Sequence, residues 1–294
     1  MRHAYLIQIH TNFALLNRLL EFLDGEENDF YILIDKKVKQ TSESLITYKT
    51  LHSKVYEVPR IAISWAGYSS IMAEMELLKY AQRHGAYDYF HYMQGADFPI
   101  KSRKDIQAFF ENHAGQEFIF FNPDIYKEGK YKLNYHHFFV NNRFYRKNKP
   151  LHYLSHGIAM VEKKLGLTRY KGRRFYSGSA LWVISDAFCK YLLENEAMMK
   201  KMARFTIAAD EALFQTIIME SPFRDKIFRF EEEGGNLYYI DWKRREGNSP
   251  YTFAEKDFDI IKDLPEYYLY ARKFHERKSK TLIEKIMACF GSDL

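Results

Sequence analysis

The stretch Phe30-Tyr31-Ile32-Leu33-Ile34-Asp35 decides the fold class, because it is an apolar run of strand length that ends on a carboxylate. A run without polar alternation is typical of a strand that is buried on both faces of a parallel sheet. Similar runs recur through the first part of the chain, and helical patterns separate them. Strands are predicted over residues 5–10, 30–35, 54–58, 87–93 and 117–121. This alternation predicts an α/β fold with a mostly parallel central sheet and helices on both faces.

Apolar residues recur at helical spacing between these strands and after them. Helices are predicted over residues 13–23, 43–51, 68–82, 104–112 and 187–194, near 151–165, from Ala209 or Asp210, and over 281–289. Two later strands are predicted over residues 180–184 and 237–240. In such sheets ligands bind beyond the carboxyl ends of the strands, so we expect the site at Asp35 and at the turn after Met93.

We interpret residues 1–294 as a single domain that one segment interrupts. Its predicted parts are a first half (1–121), a basic insertion (122–174), a second half (175–277) and a basic amphipathic tail (278–294). Residues 125–174 hold thirteen Lys and Arg against two acids and carry +11, although the whole chain carries only +6. The insertion therefore favours an anionic partner such as phosphate, an acidic glycan, a lipid headgroup or nucleic acid. A solvated lysine-rich loop would explain the same residues without a partner.

Composition and missing motifs exclude several classes of protein. With 47% hydrophobic and 28% charged residues the chain is an ordinary globular sequence, and it has no apolar run long enough to span a membrane. Its two cysteines cannot form a disulfide framework, so a reducing, cytoplasmic setting is expected. The glycine motifs of dinucleotide enzymes and P-loop NTPases are absent, and so are G-x-S-x-G and H-E-x-x-H. The single D-x-D, Asp257-Phe258-Asp259, falls on a predicted amphipathic helix, and we interpret it as structural.

Acidic side chains stand where predicted strands and helices begin or end. Asp35 closes a strand, Asp97 lies in the turn after Met93, and Asp210 and Glu211 open a helix. A carboxylate at a strand end can accept hydrogen bonds from a ribose or a base. Each acid also has a plainer interpretation, as a strand end, a turn cap, a helix N-cap or a charge that complements the helix dipole.

Nine short motifs, taken together, resemble those of one enzyme family. They are Ala4-Tyr5 with His10, Asp35-Lys36-Lys37, Trp65-Ala66-Gly67-Tyr68-Ser69, Tyr87-Asp88-Tyr89-Phe90, Gly95-Ala96-Asp97-Phe98-Pro99-Ile100-Lys101, Ser177-Gly178-Ser179, Asp210-Glu211 with Phe214-Gln215-Thr216, Tyr239-Ile240-Asp241-Trp242 and Leu269-Tyr270-Ala271-Arg272-Lys273-Phe274. In this order they resemble the core-2/I-branching enzyme family, glycosyltransferase family 14, over about residues 4–275 with the insertion unmatched. The resemblance implies a GT-A fold and inverting, metal-independent transfer of a sugar, typically N-acetylglucosamine from UDP-GlcNAc, onto a glycan hydroxyl.

The resemblance also implies roles for single residues. Glu211 matches the catalytic base, Asp35 and Gln8 match positions that touch the uridine, and Trp242 lies where a Trp contacts the acceptor. Lys273 matches a lysine on the donor's diphosphate, and we expect Arg272 to assist it in place of a metal. Further residues expected to line the site are His10, Trp65, Asp97, Ser177, Gly178, Ser179 and Asp210.

The chain departs from the family pattern at two places. Tyr251 stands near the position where the family has a second basic residue for the diphosphate, and Phe120-Phe121 stand near the position where the family has an acceptor-binding carboxylate. The membrane anchor and cysteine framework of the animal enzymes are missing, which leads us to expect a bacterial-type member in the cytoplasm. It would act on a glycan or lipid-linked oligosaccharide acceptor, with peripheral contact to anionic membrane. The tail either takes part in that contact as an interfacial helix or packs on the protein body. We expect no nucleic-acid partner. Two alternatives stay open: a xylose donor on the same scaffold, and a non-catalytic binder of anionic polymers.

Overall fold

A computed structural model describes residues 1–122, 125–142, 144, 145 and 147–291, and for 125–127 the backbone alone. Nine strands occur in the described residues. They are β1 (His3–Ile9), β2 (Asn28–Ile34), β3 (Lys54–Val58), β4 (Tyr89–Gln94), β5 (Asp97–Pro99), β6 (Phe118–Phe121), β7 (Gly178–Ser185), β8 (Tyr238–Ile240) and β9 (Tyr270–Arg272). The same residues form eleven α-helices. They are α1 (Phe13–Leu23), α2 (Ser42–Leu45), α3 (Tyr68–His84), α4 (Arg103–Asn112), α5 (Ile125–Asn134), α6 (Lys149–Lys164), α7 (Asp186–Glu194), α8 (Glu196–Ala203), α9 (Leu213–Met219), α10 (Phe258–Lys262) and α11 (Lys280–Phe290).

The chain divides into two compact units, each assembled from separate segments. Unit 1 comprises Met1–Arg60, Tyr80–Gln116 and the chain from Leu237 onward, and unit 2 comprises Ile61–Lys79 and Glu117–Asn236. Unit 1 holds the strands β1 to β5, β8 and β9. Unit 2 holds β6, β7 and most of the residues of the basic insertion.

Unit 1 contains four parallel strands in the order β3-β2-β1-β4. All seven residues of β2 are buried, as expected for a strand whose apolar run is covered on both faces. The amphipathic helix α1 buries the leucines that recur on one of its faces. The α/β fold class with a mostly parallel sheet, predicted from the alternation of strands and helices, is confirmed.

A small second sheet completes unit 1, with β9 antiparallel to β5 and parallel to β8. Three buried polar side chains link it to the parallel strands. His91 of β4 lies 2.8 Å from the His3 ring nitrogen of β1, and its other ring nitrogen lies 2.8 Å from the Tyr270 hydroxyl of β9. Burial lowers the pKa of His3 to about 4 and that of His91 well below its ordinary value, so both rings are neutral at physiological pH.

In unit 2, β6 and β7 pair antiparallel, with Gly178 opposite Phe121. The basic insertion packs within this unit as two helices, α5 and α6, rather than as a solvated loop. Its backbone is hydrogen-bonded to the 205–208 segment, since Phe205 O accepts from His137 N and Lys132 O accepts from Ile207 N. A small apolar cluster of Ala66, Val140 and Tyr145 adds to this packing.

Several sequence-based assignments differ from the structure. The predicted helix over 43–51 forms only as α2, because side chains elsewhere in unit 1 bind the backbone that follows it. Asn17 accepts hydrogen bonds from the N–H groups of Thr47 and Tyr48, and Asp24 accepts from those of residues 51–53. The insertion contains α5 in addition to the predicted helix near 151–165, and α8 follows α7 without having been predicted.

The C-terminal tail packs on the body of unit 1. Its helix α11 buries Leu282, Ile283 and Ile286, and Ser279 donates to the carbonyl of Phe253. Of the helices in the described part of the chain, none is both long enough and apolar enough to cross a bilayer.

The β6–β7 pairing leaves no room for a side chain at Gly178. A Cβ built there would lie 1.8 Å from the carbonyl oxygen of Phe120, which is backbone and cannot turn away. We expect Gly178→Ala to lower the free energy of unfolding by about 1–3 kcal/mol or more, measured by urea denaturation.

The matched control is Gly157→Ala in α6, where nothing lies within 4 Å of the added Cβ. Because Ala is the better helix former, this variant should gain about 0.5–1 kcal/mol. A Gly178→Ala protein as stable as the parent would contradict the register between β6 and β7.

Candidate functional site

Asp35 and Gln8 lie at the carboxyl edge of the parallel strands of unit 1. Asp35 follows β2, and Lys37 binds both of its carboxylate oxygens, with the backbone N–H 2.9 Å from Oδ1 and Nζ 3.1 Å from Oδ2. Gln8 pairs with Leu33 of β2 and Gln94 of β4, and its Oε1 accepts a hydrogen bond of 2.9 Å from the Tyr92 hydroxyl. With that oxygen engaged, the amide N–H groups of Gln8 are the part of the side chain available to a ligand.

Asp97 is a buried anchor of the turn after β4. Its Oδ1 lies 2.5 Å from Nε of Arg272, and its Oδ2 accepts a hydrogen bond of 2.7 Å from the backbone N–H of Gln94. Arg272 also donates to Oε1 of Gln94 at 2.9 Å. Burial raises the pKa of Asp97, although the Arg272 guanidinium opposes that rise. Both Asp97 oxygens are therefore used within the protein, and the charge of Arg272 is offset by a buried carboxylate.

Two basic side chains lie beside Tyr251, which stands near the position where the family pattern predicted a second basic residue for the diphosphate. The Arg244 guanidinium lies 4.1 Å from the centre of the Tyr251 ring, and Lys278 Nζ lies 5.2 Å from it. Lys278 also forms an ion pair with Glu246 at 2.7 Å. The backbone of Lys273 is fixed beside Tyr251, since the Lys273 N–H donates to the Tyr251 carbonyl at 3.4 Å. Two cationic side chains thus lie beside the Tyr251 ring, and each is also paired with a carboxylate.

The two remaining residues singled out in unit 1 are exposed. His10 follows β1, and Trp242 lies in the loop after β8 with 55% of its side chain accessible. The loop at Trp242 is shaped by the preceding Asp241, which accepts hydrogen bonds from the backbone N–H and Nε of Arg244. An accessible indole on a fixed loop offers an apolar face to a sugar ring.

The D-x-D motif is part of this scaffold. Asp257 is buried, and its carboxylate accepts hydrogen bonds from Arg244 Nη1 and from the backbone N–H of Ala254. Asp259 is exposed on α10. Within the ranges the structure describes, no three His, Cys, Asp or Glu side chains are grouped so that they could hold a metal ion.

Glu211 ends a short 3-10 turn, Ala209–Glu211, in unit 2. Its side chain is 45% accessible, and its Oε2 lies 2.7 Å from Nζ of Lys132 in α5. The same ammonium lies 3.7 Å from Glu128, one helical turn earlier. Among the described residues, Oε1 of Glu211 makes no hydrogen bond, so one oxygen is held by a cation and the other is available.

Two further acids, Asp210 and Glu74, interact with this group. Burial raises the pKa of Asp210 to about 7, and the Glu211 carboxylate adds to the rise while Lys132 opposes it. Glu74 of α3 is fully buried and accepts a hydrogen bond of 3.2 Å from the Trp182 indole. Burial raises the pKa of Glu74 well above its ordinary value, and the neighbouring Asp210 charge adds to that effect. Burial thus favours the neutral form of both the Glu74 and the Asp210 carboxyl groups.

The remaining residues of unit 2 that were predicted to line the site are Ser177, Ser179 and Trp65. Ser177 is buried, and its carbonyl accepts from Asn122 N, while the Ser179 carbonyl accepts a 2.8 Å hydrogen bond from the Gln215 amide. Trp65 is 64% accessible in the loop before α3. Asn141 of the insertion supports that loop through its carbonyl, which accepts from the Ser64 hydroxyl at 3.1 Å.

Sequence reasoning missed Lys132 and Glu74. Lys132 lies in the unmatched insertion, and no spacing rule connects it with a residue 79 positions later. Glu74 does carry a signal, because it lies three residues after Ile71 and four before Leu78, on the apolar face of α3. An acid in such a position is either paired or protonated.

The raised pKa of Asp210 predicts a pH-dependent stability. The folded chain keeps this proton up to about pH 7, whereas the unfolded chain releases it near the ordinary value of 3.8. The folded state therefore binds more protons between these values, and its stability falls as pH rises through them. Asp210→Asn removes this dependence, so its Tm relative to the parent should be higher at pH 8 than at pH 5.

The control is Asp225→Asn, an exposed carboxylate in the same unit, for which the Tm difference should be equal at both pH values. Glu117, whose pKa burial raises to about 7, is present in both variants and in the parent, so its own titration cancels in the comparison. Loss of the Asp210 charge also lessens the rise of the Glu74 pKa, which changes the Tm difference in the same direction. Equal Tm differences at pH 5 and pH 8 for Asp210→Asn would show that its carboxyl titrates normally.

The chain is similar to known proteins along most of its length. A family model described as Core-2/I-Branching enzyme matches residues 3–264. Xylosyltransferase 2 of Rattus norvegicus is 22% identical over 306 aligned positions, which take in 97% of this chain and 33% of that protein. Xylosyltransferase 1 of Homo sapiens is 22% identical over 308 positions, with 97% of this chain and 30% of that protein. The chain thus spans about a third of the length of the curated relatives it matches.

Among solved structures, mouse xyloside xylosyltransferase 1 in its apo form matches 92% of this chain and 97% of its own, with a TM-score of 0.42 and 11% sequence identity. The match of the family model decides the relationship, since it spans most of the sequence and runs through both units. The chain belongs to the core-2/I-branching enzyme family.

Proposed function

We propose that this chain is an inverting glycosyltransferase that moves a sugar from a UDP donor onto a glycan hydroxyl, with Glu211 as general base. The observation that carries the proposal is the state of Glu211: an accessible carboxylate with Oε2 bound to Lys132 and Oε1 unengaged among the described residues. Inverting transfer needs one such carboxylate, which takes the proton of the acceptor hydroxyl while its oxygen attacks C1 from the face opposite the leaving group. A second carboxylate nucleophile is needed only for double displacement.

Lys132 is the positioning residue in this proposal. Its ammonium fixes the rotamer of Glu211 through an ion pair that is sheltered on the lysine side, where only 15% of the side chain is accessible. The proton taken from the acceptor would reside on Oε1, the oxygen away from Lys132. Burial favours the neutral form of Glu74, which limits the like charge near the base.

Unit 1 supplies the groups proposed for the donor. Asp35 and the amide of Gln8 would bind the uridine, and Lys273 the diphosphate. Because Asp97 offsets the charge of Arg272, we assign Arg272 mainly to holding this segment and give Lys278, beside Tyr251, a share in stabilising the departing UDP. Cations of the chain would then do the work that a metal does in other transferases.

The donor sugar has two candidates. N-acetylglucosamine follows from the motifs of the family, whereas the names of the most similar curated relatives favour xylose. We keep UDP-GlcNAc as the proposed donor and UDP-xylose as the alternative. The proposed acceptor is a glycan or a lipid-linked oligosaccharide, stacked on Trp242, with the protein in the cytoplasm and in peripheral contact with anionic membrane. We do not assign that contact to the tail, because Leu282, Ile283 and Ile286 of α11 are buried.

Calorimetric titration with UDP-GlcNAc and UDP-xylose, with and without EDTA, tests the donor assignment. We expect saturable binding of UDP-GlcNAc that EDTA leaves unchanged, because lysines rather than a metal hold the diphosphate. Asp35→Asn should weaken donor binding by about 10- to 100-fold through loss of a charged acceptor, whereas Asp225→Asn should not.

Tighter binding of UDP-xylose would show that xylose is the donor sugar, and the proposed reaction class would stand. Loss of binding in EDTA would refute metal independence. Binding of neither nucleotide sugar would favour the non-catalytic binder of anionic polymers, whose affinity would fall steeply with salt.

Replacement of the base separates catalysis from binding. We expect Glu211→Gln to bind the donor as the parent does and to transfer sugar about 10²- to 10⁴-fold more slowly, because the amide cannot accept the acceptor's proton. Transfer is measured by UDP release in the presence of acceptor.

Glu128→Gln is the matched control, since Glu128 contacts the same Lys132 ammonium but is not the proposed base. It should transfer within a few-fold of the parent. Near-normal transfer by Glu211→Gln would remove Glu211 from the role of base.

A further inference from the structure

The insertion helix α6 exposes a continuous apolar stripe. Six large apolar side chains on it and just after it are each more than half accessible: Tyr153, Leu154, Met160, Val161, Leu165 and Leu167. Residues 153 and 160, and 154, 161 and 165, recur at helical spacing and therefore share one side of the helix. Large apolar patches of this kind are rare on soluble monomers unless something covers them.

The opposite side of α6 is fixed to unit 2. Ser155 and Ala159 are buried there, and the Tyr131 hydroxyl lies 2.5 Å from a ring nitrogen of His156. The helix is thus a firm part of the unit that carries Glu211, and its 16 residues extend over about 24 Å. The stripe is presented outward along that length.

Basic side chains border the stripe. Residues 147–174 hold eight Lys and Arg against a single acid, Glu162, which is hydrogen-bonded to the backbone N–H and ring of His136. Lys149, Lys163 and Lys164 are exposed at the two ends of the helix. An exposed apolar face with a cationic rim is the pattern of helices that lie in the surface of an anionic bilayer.

We propose that α6 docks the protein on an anionic lipid surface, with its apolar stripe in the headgroup region and its lysines on lipid phosphates. Charge complementarity selects this occupant over a second copy of the chain, which would bring one cationic rim against another. The proposal assigns the proposed membrane contact to the exposed face of α6. This assignment does not depend on which sugar is transferred.

Flotation of the full chain with lipid vesicles tests the proposal. We expect binding to phosphatidylcholine vesicles that contain about 30% phosphatidylserine, and much weaker binding to phosphatidylcholine alone. Leu154→Ser with Val161→Ser should lower the bound fraction about tenfold or more, because two side chains that enter the lipid are lost. Lys163→Glu with Lys164→Glu should abolish the preference for anionic vesicles.

Two matched pairs serve as controls. Leu51→Ser with Ile260→Ser changes two exposed apolar residues of unit 1, and Lys104→Glu with Lys256→Glu reverses two exposed lysines there. Both pairs should float like the parent. All variants should bind the UDP-sugar as the parent does, so that failure of docking is distinct from failure of the donor assignment.

Unchanged flotation of the Leu154/Val161 pair, or no binding of the parent to anionic vesicles, would overturn the proposal. The alternative outcome is a parent that does not float and that forms a dimer in light scattering. If the Leu154/Val161 pair abolished that dimer, the stripe would be shown to join two copies of the chain.

Discussion

Buried polar groups in unit 1 have to be paired inside the protein, and this requirement joins its two sheets. A carboxylate out of water is costly unless a cation and hydrogen bonds compensate it, and Arg272 with the turn N–H of Gln94 provides both for Asp97. The neutral contact between His91 and Tyr270 makes the second link. Lys273 immediately follows β9, so the position of a proposed diphosphate ligand depends on these buried contacts.

Unit 2 meets the same requirement in a different way. Burial raises the pKa of Glu74 well above its ordinary value, whereas Glu211 lies at the surface with Lys132 as its counterion. Asp210 is intermediate, with a pKa raised to about 7. Burial therefore raises the pKa of two acids beside Glu211, and perturbed carboxyl pKa values are common at catalytic sites. Glu211, the acid in contact with a lysine, is the one proposed as the base.

The parts of the fold that the sequence predicted are those with strong apolar patterns. Strand β2 could be predicted because all of its residues are buried, which gives an unbroken apolar run. Helix α1 could be predicted because one of its faces is buried, which gives an apolar residue at every turn. Helix α5 was missed because its sequence is polar and contains Gly129, and β5 and β9 because three residues are too few to show a period. For the site, motifs indicated Asp35 and Glu211. The contact of Lys132 with Glu211 could not be predicted, because it arises only when the insertion packs against a distant turn.

The segmented make-up of unit 1 constrains its assembly during synthesis. Asp97 and Arg272 are 175 residues apart, and the whole of unit 2 is encoded before the segment that begins at Leu237. At about 5–20 residues per second, roughly 9–35 s pass between translation of the carboxylate and of its cation. Over that interval β5 has no partner strand from β9, and its turn must stay hydrated. The small second sheet of unit 1 therefore cannot form until nearly all of its segments have been translated.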